Sequence, residues 1–208
     1  SNATVGHGLS SAPEWVMVKI LNQAAVSGFT VGLLADPAGF NNFMYLNETT
    51  VSRASSATWN DTAPTSSVFS LGTSTGVNGS SKKFIAYCWH GVDGFSKFGR
   101  YTGNGSADGP FIYTGFKPRW IMFKETANAN DWSIWDSARF PLNPTNNSLF
   151  ANLTQGDNGS SIDLDVLSNG FKCRTTNSQI NRSSGSYVYM AFAEHPFVGD
   201  GTNPVTAR

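Results

Sequence analysis

Charge is what this 208-residue chain lacks most. Asp, Glu, Lys and Arg make up only 13% of it, against about 25% in an ordinary globular domain. Its 14 basic and 14 acidic side chains cancel to a formal net charge of zero. Phosphate recognition needs clustered Lys and Arg, and the nearest thing to a cluster is Lys82-Lys83, so no nucleic-acid partner is expected. No apolar run nears the roughly 20 residues that span a bilayer, so no membrane insertion is expected either. No secretory leader is expected. The only two cysteines, Cys88 and Cys173, are too few for a disulfide framework, and neither sits in a CxxC pair. Both lie in apolar, strand-like runs and read as buried free thiols, which suits synthesis in a reducing cytoplasm. Helical periodicity is absent over any stretch of ten residues.

Aromatics, at 13%, are what the chain has instead, and a disordered chain would have few. Ser, Thr, Asn and Gly crowd the segments between short apolar runs and must supply solubility in place of charge. Turn dipeptides punctuate the chain at Asn78-Gly79, Asn104-Gly105, Asp108-Gly109, Asn158-Gly159 and Asn169-Gly170; Asn-Gly and Asp-Gly provide the positive φ that tight hairpins require. Short strands with strong turns between them predict an all-β, sandwich-like fold.

The chain also resembles itself. Pro13-Glu14-Trp15-Val16-Met17-Val18-Lys19 stands against Pro118-Arg119-Trp120-Ile121-Met122-Phe123-Lys124, an offset of 118 − 13 = 105. Phe29-Thr30-Val31 matches Trp132-Ser133-Ile134 (132 − 29 = 103), Met44 to Asn47 matches Leu149 to Asn152 (149 − 44 = 105), and Phe84 to Trp89 matches Tyr187 to Phe192 (187 − 84 = 103). Four segments in one order at nearly constant spacing predict two tandem repeats of about 100 residues. Ser1 to Ala3 reads as the scar of a cleaved tag; repeat 1 is expected over 4–99, a connector over 100–112, repeat 2 over 113–199, and a polar tail over 200–208. Aromatics in and around the connector (Phe95, Phe98, Tyr101, Phe111, Tyr113) predict that it is packed and that the repeats form one rigid unit. Val16 to Val18 and Phe84 to Trp89 are unbroken apolar runs, as in strands buried on both faces or at a packed interface. Lys19 and Lys124, at matched strand ends, are read as snorkelling lysines.

Several of these motifs carry a family resemblance: His7-Gly8-Leu9 with Ala12-Pro13, Phe69-Ser70-Leu71-Gly72, Gly94-Phe95-Ser96-Lys97-Phe98-Gly99, Tyr101 to Ser106, Asp108-Gly109-Pro110-Phe111, Leu167-Ser168-Asn169-Gly170-Phe171-Lys172 and Tyr189 to Glu194. Together they resemble a domain of unknown function found, often C-terminally, in tail-fibre-like and other virion proteins of bacteriophages, especially marine ones, and in prophages. The resemblance runs from about residue 4 to about 199 and implies a virion (tail) setting, after synthesis in the bacterial host cytoplasm. It implies no catalytic or ligand residues.

The residues themselves offer little chemistry. His7, His90 and His195 have no partner at metal-ligand spacing, so structural or surface roles and no metal or other cofactor are expected. Asp163 with Asp165 and Asp131 with Asp136 are the only paired carboxylates that glycan hydrolysis would suggest; calcium-loop spacing is missing, as is a GxSxG elbow. Matched aromatics at the two repeat positions read as scaffold. Trp59 and Trp135 break the pattern, and an indole edged by Asn and Asp suits a sugar ring. Candidate ligand contacts are therefore Trp59, Asn60, Asp61, Trp135 and Tyr113.

The expected function is a non-enzymatic structural and binding module of a tail-associated virion protein. Its expected partners are further copies of itself (a cyclic homo-oligomer such as a trimer), other virion proteins and host surface glycan. The alternatives are a carbohydrate-binding module of a bacterial secreted protein and a glycan depolymerase domain.

Overall fold

Fifteen short strands, of two to ten residues each among the described residues, make this chain all-β. The computed structural model describes residues 1–22, 28–156 and 158–195, the side chains of 158–161 excepted; the tail expected over 200–208 lies outside them. Two compact units divide the chain, Ser1–His90 and Gly91–Arg208.

The first unit holds β1 (Ala3–Gly6), β2 (Trp15–Ile20), β3 (Thr30–Leu33), β4 (Asn42–Tyr45), β5 (Arg53–Ala54), the one-turn helix α1 (Ser56–Trp59), β6 (Val68–Leu71), the one-turn helix α2 (Thr75–Asn78) and β7 (Phe84–Trp89). Its strands form an antiparallel five-stranded sheet, β5-β4-β3-β2-β7, and a two-stranded sheet, β1-β6. Val16 and Val18 of β2 meet Phe69 and Leu71 of β6 in one core, with Phe40, Trp59 and Val77 between them. Ala3 already pairs with Leu71, so the first strand begins inside the segment read as a tag scar.

The second unit holds β8 (Ser96–Thr102), β9 (Phe111–Tyr113), β10 (Pro118–Glu125), β11 (Ser133–Asp136), β12 (Thr145–Phe150), β13 (Asn158–Leu167), β14 (Gly170–Cys173), α3 (Ser178–Asn181, one turn) and β15 (Ser186–Ala193). One eight-stranded antiparallel sheet, β8-β15-β10-β11-β12-β13-β14-β9, takes in every strand and curls until it is nearly closed. Aromatics fill its inside: Trp135 and Phe171 both stack on Phe123, at 4.6 and 6.2 Å, and Tyr101 stacks on Tyr187 at 4.9 Å. The connector residues 100–112 belong to this unit, through the end of β8 and most of β9.

Pairing registers follow a common plan in the two units. In the first, Val16 faces Gly32 and Cys88, and Val31 faces Met44. In the second, Ile121 faces Trp135 and Ala191, and Ile134 faces Leu149. Side chains keep the plan too. Asn47 accepts from the Phe29 amide at 3.0 Å, and Asn152 from that of Trp132 at 2.9 Å. Ser74 caps α2 and Asn177 caps α3 by accepting the amide two residues on. Asn78 and Asn181 end those helices and donate to the carbonyls of Gly72 and Thr175, both at 2.8 Å.

Three expectations are corrected. Asn158-Gly159 lies inside β13 and not at a hairpin turn. The loop between β13 and β14 is Ser168-Asn169; Gly170 opens β14 because a Cβ there would fall 2.1 Å from the Ile112 carbonyl oxygen. Of the two settings expected for the run Phe84 to Trp89, burial on both faces is excluded, since Tyr87 is 42% exposed; among the described residues β7 is the last strand of its sheet.

Candidate functional site

The two tryptophans proposed as sugar platforms are core residues. A stretch as polar as Ala-Thr-Trp-Asn-Asp-Thr suggests a loop, yet α1 turns the Trp59 indole inward until nothing of it reaches solvent. It meets Phe40 edge-on at 5.6 Å and lies against Gly32, where a Cβ would come within 2.7 Å of the ring. Trp135 is equally buried, stacked on Phe123. Burying an aromatic of this size is a large gain, and an indole so enclosed presents no face to a sugar.

Asn60 and Asp61 do reach solvent, where their φ values of 55° and 44° make the left-handed turn that ends α1. Asn60 closes the turn with its amide on the Ser56 carbonyl and accepts from the Asn2 side chain at 2.6 Å. In the second unit Tyr113 is 62% exposed. Phe111 shares its face of β9, with Ile112 buried between them. Of the five candidates, then, Asn60 and Asp61 in one unit and Tyr113 in the other are accessible.

Charge is buried where none was expected. Of the two lysines expected to snorkel, Lys19 is half-buried, its ammonium 5.4 Å over the Phe29 ring. Lys124 departs from that expectation: the side chain is fully enclosed, and Nζ donates to the carbonyls of Glu125 (2.7 Å) and Asn128 (3.1 Å). Burial pulls its pKa down to about 8, opposed by the carboxylates of Glu125 and Asp131. Glu125 beside it is also enclosed; it accepts from Asn128 at 2.6 Å, from Asn130, and from Arg182 Nε at 3.0 Å. A lysine so shifted can act as a base or nucleophile when substrate reaches it. Here its protons are committed to carbonyls inside the core, and it fixes the end of β10 to the turn that follows.

Three of the four paired carboxylates, those of Asp131, Asp136 and Asp165, serve local structure. Asp131 accepts from Asn152 at 2.7 Å. Asp136 accepts the Ala138 and Arg139 amides and pairs with the Arg139 guanidinium. Burial would raise the Asp136 pKa, but these bonds hold it below the usual carboxylate value. Asp165 pairs with Arg174 at 3.4 Å, while the Asp163 backbone carbonyl accepts the Arg174 amide. His7 Nδ1 accepts the Leu9 amide at 3.1 Å and its Nε2 lies 3.1 Å from the Thr65 carbonyl, a turn-holding arrangement that favours the Nε2–H tautomer. His90 meets Ser10 Oγ at 3.2 Å, and His195 is exposed. Both cysteines are free; burial pushes the Cys88 thiol to about 11 and the Cys173 thiol to about 12. Among the described residues no three His, Cys, Asp or Glu stand together as a metal would need, and no helix is long and apolar enough to cross a membrane.

Residues 1–196 match a family described as a domain of unknown function, DUF7483. The chain belongs to that family. No curated protein and no solved structure matches it.

Two features of this DUF7483 domain escape a reading of its sequence. The first is the Lys124–Glu125–Arg182 cluster, whose one signal is the density of polar residues (Asn128, Asn130, Asp131) after an apolar strand. The second is a cavity of about 310 Å³ in the first unit, lined by Ala3, Val5, Val18, Phe69, Val77, Phe84 and neighbours. A cavity is a deficit of side-chain volume, and no spacing of residue types announces one.

Proposed function

We propose that this chain is a structural and binding module of a bacteriophage tail-associated or other virion protein, built from two copies of one unit. The matched registers and the matched Asn47/Asn152, Ser74/Asn177 and Asn78/Asn181 hydrogen bonds support the duplication. The virion setting is supported by the ordered motifs from His7-Gly8-Leu9 to Tyr189 to Glu194. One observation carries the non-catalytic reading: Trp59 and Trp135 are taken up in packing, and Asp131, Asp136 and Lys124 in hydrogen bonds and ion pairs. Such a module works by self-association into a cyclic oligomer, and by presenting surface to host glycan.

Antibodies raised against the 208 residues and gold-labelled on intact virions test the setting, with label expected on the tail. Release of reducing ends from host polysaccharide by the purified protein would overturn the non-enzymatic reading. Light scattering that finds monomers alone at high concentration would remove self-association.

Contact with glycan as a free-standing carbohydrate-binding activity is favoured by one further observation. Phe111 and Tyr113 present two aromatic faces from one side of β9, the arrangement that sugar rings stack upon. Glycan-array signal lost in Tyr113→Ser but kept in Asn60→Ala would place binding on β9.

A further inference from the structure

β7 has the composition of an interior strand and the position of an edge strand. Phe84-Ile85-Ala86-Tyr87-Cys88-Trp89 carries no charge, yet among the described residues it pairs on one side only, with β2. The Leu21 amide takes the Lys83 carbonyl on the β2 side. Alternation along an antiparallel ladder then turns the N–H and C=O groups of Phe84, Ala86 and Cys88 to the open side. Natural sheets blunt such an edge with charge, proline or a covering element, and this one has neither charge nor proline.

In the second unit the corresponding edge is covered. β15 stands against β10 in the registers that β7 keeps against β2, and β8 adds to its outer side over seven residues, from Ser186 opposite Thr102 to Phe192 opposite Ser96. Tyr187 to Ala191 are buried as a result. From β8 the Tyr101 side chain points inward. It stacks on Tyr187, meets Phe123, Phe171 and Tyr189, and donates its hydroxyl to the Ile180 carbonyl at 2.9 Å. At the same positions of the first unit stand Val18 (for Phe123), Phe69 (Phe171), Val77 (Ile180), Phe84 (Tyr187) and Ala86 (Tyr189). All five line the 310 Å³ cavity. The space that Tyr101 fills in one unit is thus open in the other, and deeper, because valine and alanine replace two aromatic rings.

We propose that the β7 edge and this cavity form an acceptor site for an added antiparallel β-strand from a polypeptide segment outside these 208 residues, anchored by one large aromatic side chain in the cavity. The aromatic stands opposite Phe84, as Tyr101 stands opposite Tyr187. Backbone hydrogen bonds to Phe84, Ala86 and Cys88 supply affinity and the anchor sets the register. Gly99 of β8 must be glycine, since a Cβ would lie 2.8 Å from the Tyr189 ring. Opposite Ala86 that restriction lifts, so the incoming strand can carry a side chain there. A second copy pairing β7 with β7 would satisfy the backbone but bring no β8-type aromatic into the cavity. The acceptor site depends on the matched registers and is independent of the virion setting.

A synthetic peptide with the sequence of Ser96–Thr102 is the probe, added to the whole 208-residue protein and followed by amide hydrogen exchange. Protection is expected at Phe84, Ala86 and Cys88, with one peptide bound per chain. A peptide carrying Tyr101→Ser should bind at least about tenfold more weakly, as loss of a buried ring implies. Ala86→Trp in the protein should fill the cavity and weaken the peptide similarly, without the loss of fold that a core truncation risks. No protection at saturating solubility of the peptide overturns the site. Equal binding of the Tyr101→Ser peptide overturns the aromatic anchor. Protection of the same amides without peptide, rising with protein concentration, would show that a second copy occupies the edge and would overturn the proposed occupant.

Discussion

Replacing Lys124 with methionine separates the electrostatic cost of its burial from every other contribution to stability. The lysine is fully enclosed, and burial lowers its pKa from 10.5 to about 8. Between those two values the unfolded chain holds a proton that the folded chain has released, so folding stability rises with pH across that window. Below about pH 8 both states are protonated and the whole cost of the buried ammonium is present. The shift is 10.5 − 8 = 2.5 pH units, which corresponds to about 3 kcal/mol. Between pH 7 and pH 9 about 1 kcal/mol of that cost should disappear. Measurement stops at pH 9 because Cys88, Cys173, Tyr101 and Tyr187 have raised pKa values. They stabilise the fold while protonated and lose that advantage at higher pH. Urea unfolding at pH 7, 8 and 9 is the assay, with wild type and Lys124→Met compared at each. The variant also strands the carbonyls of Glu125 and Asn128, at about 1–3 kcal/mol each, so its stability at pH 7 decides nothing. The slope decides: wild type should gain about 1 kcal/mol that the variant does not. Parallel curves would refute the reasoning, and would mean that the amine keeps its proton in the fold through pH 9, as it does in the unfolded chain.

Other perturbations have equally direct outcomes. Trp59→Ala should cost about 3–5 kcal/mol in urea unfolding, the range for emptying a buried aromatic site; a cost within experimental error would return the indole to the surface. Arg182→Met leaves the enclosed Glu125 carboxylate with its asparagines alone and should cost about 3 kcal/mol at pH 7, held to the low end because the Arg182 side chain is 42% exposed. Asn181 is fully buried, accepts the Asn104 amide, and donates to the carbonyls of Ser106 and Thr175. Asn181→Asp has the same shape without the donors, so it should destabilise by about 2 kcal/mol or more, read as a fall in the thermal midpoint. Tyr113→Ser should move stability by no more than about 0.5 kcal/mol, which makes it a clean variant for glycan assays.

The sequence was most readable where side chains alternate along a strand. Trp15 to Lys19 and Trp120 to Lys124 are strands as expected, and the Phe29 and Trp132 segments run into β3 and β11, because side-chain period and hydrophobic pattern state the same thing. Trp59 was misread because its neighbours are polar and one helical turn is too short to leave a period. A glycine in the midst of a strand was the available clue, since Gly32 implies that something large approaches the backbone. Lys124 was misread because a charge at a strand end usually leans to water, and only its partners Glu125 and Asn128, set by the following turn, hold it inside. β7 was legible as an apolar strand but not as an edge, for edge or centre is a property of the sheet and not of the strand.

The place of β15 has a consequence for synthesis. It pairs with β8 on one side and β10 on the other, and it comes last among the strands of the described residues. A ribosome that has finished Thr102 must add another 192 − 102 = 90 residues before Phe192 emerges, about 5–18 s at roughly 5–20 residues per second. Throughout that interval the flank of β8, and from Glu125 onward that of β10, waits without the strand that joins them, while the first unit can already have folded. A nascent chain stalled in that interval is the form most exposed to pairing with a neighbour on the same polysome.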